Sequence, residues 1–148
     1  MHRLLLFCLL SLAAVDLSAQ VTLNGLWEGT ITEGGLQSDQ GYPFQVFLEK
    51  RGRTVSGRSY IQMGDRIVEM QLSGRLYDDN SIYLDEIEFI SDDESWSPPF
   101  MRKYQLLWRR GIYEGSLNGY WQEIRDDVFN DARERGRITL RKVQEKRA

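Results

Sequence analysis

The sequence predicts an all-β fold, an eight-stranded antiparallel up-and-down barrel with one short helix before the last strand. Three observations carry this. Apolar and polar residues alternate with a period of two over most of the chain after residue 22. The breaks between these runs suit antiparallel neighbours, and a long meander closes because closure removes its exposed edges. A glycine pattern also recurs: Leu23-Asn24-Gly25-Leu26-Trp27 returns as Leu117-Asn118-Gly119-Tyr120-Trp121. Looser echoes are Val55-Ser56-Gly57-Arg58-Ser59-Tyr60 and Leu72-Ser73-Gly74-Arg75-Leu76-Tyr77. Strand glycines let a sheet bend or let a neighbour pack over the gap, as a small curved barrel requires.

The chain opens with Met1-His2-Arg3, then a run from Leu4 to Val15 that is apolar apart from Ser11, then Leu17-Ser18-Ala19. That order predicts a secretory signal peptide over 1–19, cleaved near Ala19. The run is too short to span a bilayer, which takes roughly 20 residues. The expected product is a single barrel domain, 20–148, secreted or periplasmic, with no membrane span.

Each strand follows from its alternation. The first, about Leu23 to Glu33, sets Leu23, Gly25, Trp27, Gly29 and Ile31 on one face. The second, about Tyr42 to Lys50, turns Phe44, Val46 and Leu48 inward, with Pro43 tolerated only at its start. After the Arg51-Gly52-Arg53 turn, the third, Thr54 to Met63, aligns Val55, Gly57, Ser59, Ile61 and Met63. Gly64-Asp65 turns into the fourth, about Arg66 to Asp78, with Val68, Met70, Leu72, Gly74 and Leu76 inward.

Asp78-Asp79-Asn80 is a turn by composition. The fifth strand, Ser81 to Ile90, begins with Ile82 and Leu84 on one face and then switches parity to Ile87 and Phe89. A bulge near Asp85-Glu86 reconciles the two halves. The sixth, about Met101 to Arg110, points Tyr104, Leu106 and Trp108 inward; the seventh, about Tyr113 to Gln122, points Gly115, Leu117, Gly119 and Trp121 inward. Asp126 to Arg135 reads as the helix, with Val128, Phe129 and Ala132 as its buried stripe and Gly136 as its stop. The last strand, about Arg137 to Val143, buries Ile138 and Leu140.

Composition excludes several chemistries. Cys8 and His2 are the only cysteine and histidine, and both fall within the expected signal. The product then has no disulfide, thiol nucleophile, imidazole base, or Cys/His metal site. A net charge of -3 argues against nucleic-acid or anionic-membrane partners, which select clustered Lys and Arg. The acidic loops match no calcium-loop spacing, so no metal and no cofactor is expected.

With Gly25-Leu26-Trp27 on the first strand, the chain resembles the calycins, the lipocalin and avidin group of secreted barrels. Its Leu-Ser-Gly and Leu-Asn-Gly strands are closer to avidins, and a helix before the last strand is closer to lipocalins. The resemblance implies a barrel with a ligand-binding mouth. It does not imply biotin binding: the avidin ureido-binding position falls on Gly29, and the serine of an avidin-like Tyr-x-Ser at Tyr60 is Gln62. The lipocalin arginine that packs over the first tryptophan corresponds to Arg137 or Arg141.

Strand parity places the long connections, Gly34 to Gly41, Ser91 to Phe100 and Glu123 to Gly136, at one end. Function concentrates on loops carried by a rigid scaffold, so this end is the expected mouth. Inward residues near it are Phe44, Ile61, Met63, Phe89, Arg102, Tyr104 and Trp121, with Trp96 in the second long loop. Such a lining suits a small apolar or aromatic ligand oriented by one or two polar groups. The expected function is non-catalytic binding there. The alternative is a protein-interaction or inhibitor module that inserts the 91–100 loop into an envelope or secreted partner. An acid–base enzyme would instead need Glu86 and Glu88 together on the inner face, assisted by Tyr104 and Arg102.

Overall fold

The computed structural model describes residues 22–112, 114–126 and 132–144. The expected signal, 1–19, lies outside them. Eight strands close in sequence order: β1 (Gly25–Thr32), β2 (Gly41–Arg51), β3 (Thr54–Met63), β4 (Arg66–Leu76), β5 (Ser81–Ile90), β6 (Arg102–Arg109), β7 (Ser116–Glu123) and β8 (Arg135–Lys142). β1 and β8 are antiparallel neighbours from Trp27↔Lys142 to Ile31↔Ile138, which seals the wall.

Inside, the alternating stripes meet as one core. Trp27, Val46, Leu48, Val55, Met70, Leu72, Ile82, Leu84, Leu117 and Leu140 are all fully buried. The glycines of the repeated motif fit the curvature. A Cβ on Gly57, Gly74 or Gly119 would sit 1.9, 1.7 or 1.9 Å from a carbonyl oxygen of the adjoining strand. Neighbouring backbone occupies the space that any side chain would need.

Three expectations change. The bulge lies one residue further on: Leu72 pairs with Glu86 and Gln71 with Glu88, so Ile87 is the extra residue. Ile87 is therefore exposed, not inward, while Glu86 stays on the stripe of Ile82 and Leu84. The helix is not seen among the described residues. Asp126 is a bend, residues 132–134 are irregular, Ala132 is exposed, and residues 127–131, with Val128 and Phe129, lie outside the described residues. Gly136 does not stop a helix: it sits in β8 opposite Trp121, where a Cβ would lie 2.3 Å from the indole Nε1 and 2.0 Å from Thr32 O. Finally, neither Arg137 nor Arg141 covers Trp27. Lys142 does, with Nζ 5.2 Å from the ring centroid, because the β1–β8 register places it directly opposite.

Candidate functional site

The three long connections do share one end. They are tied to each other there by backbone bonds: Gly35 N donates to Arg135 O (3.0 Å) and Ile124 N to Met101 O (2.8 Å). A hollow of about 400 Å³ opens between them. Met63, Val68, Trp96, Pro98, Pro99, Phe100 and Trp121 give it apolar walls; Glu33, Gln40, Arg102 and Glu134 are its polar lining. A larger depression, about 540 Å³, lies on the outer wall around Glu28, Gln45, Tyr60 and Arg141. The mouth is the stronger candidate because buried charged groups converge on it.

That convergence starts at the bulge. β5 pairs with β6 only from Ser81↔Leu107 to Asp85↔Lys103. Beyond that point the Arg102 backbone N–H has no ladder partner on β5, and the Glu86 carboxylate accepts it (2.8 Å). A buried backbone donor needs such a substitute. The other Glu86 oxygen accepts from Tyr104 Oη at 2.5 Å, and Ser59 Oγ lies 3.2 Å from the same phenol. Glu86, Tyr104 and Ser59 are at most 2% exposed.

Arg102 stands above this trio. Its Nη2 donates to Glu33 (3.1 Å), and Nη1 lies 3.8 Å from Glu86. The guanidinium centre is 4.7 Å from the Trp121 ring centroid and 5.0 Å from that of Phe100. Trp121 is held in turn by its Nε1–H on Thr32 O (2.7 Å), in the space left by Gly136.

Burial pushes the Glu86 carboxyl above its ordinary value of 4.5, opposed by Arg102 and by the phenol. Burial, with the neighbouring Glu86 charge, holds the Tyr104 hydroxyl well above 10.0. A carboxyl whose folded pKa exceeds its unfolded one binds its proton more tightly when folded. Its stabilising contribution is complete below the unfolded value and is lost as pH rises through the folded one. The melting temperature of the wild type minus that of Glu86→Gln should therefore fall as pH rises from 4.5, then level off. Thermal melts from pH 4 to 8 read this; a difference that grows with pH would contradict it.

The eight expected residues divide into layers. Met63, Arg102, Trp121 and Trp96 line the hollow. Phe89 is half-buried and backs Trp96 edge-on at 5.6 Å. Phe44, Ile61 and Tyr104 are buried in the floor, where Phe44 meets Tyr104 edge-on at 5.9 Å. Glu88 is exposed opposite Gln71, so the bulge separates the two carboxylates that an acid–base pair would need. Glu86 and Tyr104 lie beneath the hollow and do not line it.

Glu33, Ser59 and Glu134 had not been expected at the site. Glu33 and Ser59 each continue an inward stripe at the correct parity, which is a readable signal. Glu134 fell in the stretch read as helix. Among the described residues no cluster of His, Cys, Asp and Glu is arranged to hold a metal. In comparisons with known proteins, no family model, no curated protein and no solved structure matches the chain.

Proposed function

We propose that the protein is a secreted or periplasmic, calycin-like barrel that binds a small apolar or aromatic molecule at its long-loop mouth without transforming it. One observation carries the reading: a hollow of about 400 Å³ with apolar and aromatic walls and a buried arginine at its base. Ligand sites have this character, a few hundred cubic ångströms of apolar lining with few fixed polar groups. The indole of Trp96 packs on Phe89, with Arg66 4.3 Å from its ring centroid. A side chain engaged in this way favours an internal ligand over insertion of the 91–100 loop into another protein.

Thermal-shift screening of an apolar and aromatic library tests the proposal. A ligand at about 100 times its Kd should stabilise the fold by about 2.7 kcal/mol. Met63→Trp fills the hollow from the end of β3 and should weaken each hit at least about tenfold, with the ligand-free melting temperature little changed, because Met63 is only partly buried. A library without a single stabilising member would overturn the reading.

A further inference from the structure

We propose that the tight-turn end of the barrel, opposite the mouth, carries a second binding site for a doubly charged tetrahedral oxyanion, a phosphate or sulfate group held between Arg109 and Arg141. The site is independent of whatever the mouth holds.

Charge is unevenly spread over the fold. The chain has a net charge of -3, yet residues 49–53, 75–79, 109–114 and 141–142, which the meander gathers at the tight-turn end, carry eight Lys or Arg against four Asp or Glu. On the outer wall there, a hollow of about 340 Å³ is lined by Arg109, Arg110 and Arg141 together with Ser116, Asn118 and Thr139. Register produces this grouping. Arg109 pairs with Ser116, and Ser116 with Arg141. Neighbouring strands lie about 4.8 Å apart, so the two arginines flank the serine at roughly 10 Å from each other. Asn118 and Thr139 pair two residues further along. These residues alternate with the buried Leu117 and Leu140 and so face outward. Short polar side chains between long cationic ones leave the hollow.

Among the described residues, nothing neutralises these cations at close range. Arg109, Arg110 and Arg141 form no ion pair, and Ser116, Asn118 and Thr139 form no side-chain hydrogen bond. Arg110 only stacks on Trp108, its guanidinium centre 4.1 Å from the ring centroid. Glu28, the β1 partner of Arg141, makes no ion pair with it. By contrast, Arg53 at the same end is paired with Asp78 at 3.0 Å. Glu114 is the one carboxylate in the hollow, so three guanidinium groups leave an excess of two positive charges. A dianion balances that excess. Guanidinium forks grip a tetrahedral oxyanion through paired, charge-assisted N–H bonds, and hydroxyl and carboxamide donors reach its other oxygens. A carboxylate has two oxygens and one charge, enough for a single fork.

Titration of the full folded protein with glycerol 3-phosphate, sulfate and acetate, at neutral pH and constant ionic strength, tests this by nuclear magnetic resonance. The Ser116 and Asn118 amide signals and the Arg109 and Arg141 Nε–H signals should shift saturably with both dianions, and with acetate at least about fivefold more weakly. The Trp121 indole signal, at the mouth, should stay still. Arg109→Gln and Arg141→Gln, both at exposed positions, should each weaken the glycerol 3-phosphate affinity about fivefold. Arg53→Gln removes the same charge from the same end, but from a residue already paired, and should change it by less than about twofold. Vesicles of phosphatidylcholine with phosphatidic acid identify the source. Co-sedimentation that Arg141→Gln abolishes assigns a lipid headgroup; soluble binding without co-sedimentation assigns a soluble ester. No saturable shift up to about 50 mM, acetate as tight as glycerol 3-phosphate, or equal losses in Arg53→Gln and Arg141→Gln would overturn the site. None of these results bears on the mouth.

Discussion

Gly74→Ala should cost the barrel about 3 kcal/mol or more and lower its melting temperature by about 10 °C. The β-carbon would lie 1.7 Å from Tyr83 O and 2.8 Å from Leu84 Cα. Both are backbone atoms of β5, so no rotamer change makes room. β4 and β5 would have to separate at a place where Gly74 and Leu84 are register partners. Gly52→Ala is the control. Gly52 is in a turn at a φ of 61° with nothing within 4 Å, so only the left-handed conformation is strained. That should cost about 1 kcal/mol. Paired denaturant melts compare the two. Equal losses would mean that close strand contact is not why glycine stands at Gly74.

Arg102→Met should destabilise by about 3–5 kcal/mol near neutral pH, as removal of one partner of a buried ion pair does. The Arg102 side chain is 5% exposed and that of Glu86 is fully buried. Without the guanidinium, Glu86 keeps the phenol and the backbone donor but loses its counter-charge. Its carboxyl, already raised by burial, should then ionise still less readily. The loss should therefore shrink toward acid pH, as a proton replaces the missing cation. Arg53→Met removes the exposed pair with Asp78, whose side chains are 60% and 83% exposed, and should move the melting temperature by no more than about 2 °C. Melts at pH 5 and pH 8 read both variants. A loss at Arg102 that is independent of pH would detach Glu86 from the effect.

Much of the wall was legible in the sequence, because a strand writes its two faces into alternate residues. Strand count, order, closure and most inward stripes followed from that, as did the end at which the long loops gather. The fifth strand shows where the signal weakens. Apolarity chose Ile87 for the interior, yet the bulge turns it outward and keeps Glu86 in. The preference of glutamate for water was outweighed by two donors waiting for it, Tyr104 Oη and Arg102 N, and neither is visible from the local pattern. The candidate site was half legible for the same reason. Met63, Arg102 and Trp121 were placed by parity. The meeting of Glu33, Ser59, Glu86 and Arg102 across the lumen depends on register, and alternation carries none. Likewise, Lys142 over Trp27 follows from the β1–β8 pairing alone.

The ties at the mouth have one more consequence, for how the chain reaches this state. Glu33 and Arg102 are 69 positions apart, and Thr32 and Trp121 are 89 apart. Until the wall closes, water rather than Glu33 and Thr32 meets the guanidinium and the indole N–H. Loops this long must be closed before their contacts repay the entropy, which makes assembly slow and its final step concerted. The ionic cluster therefore belongs to the closed wall alone: the guanidinium leaves water only where Glu33 and Glu86 are already in place to meet it.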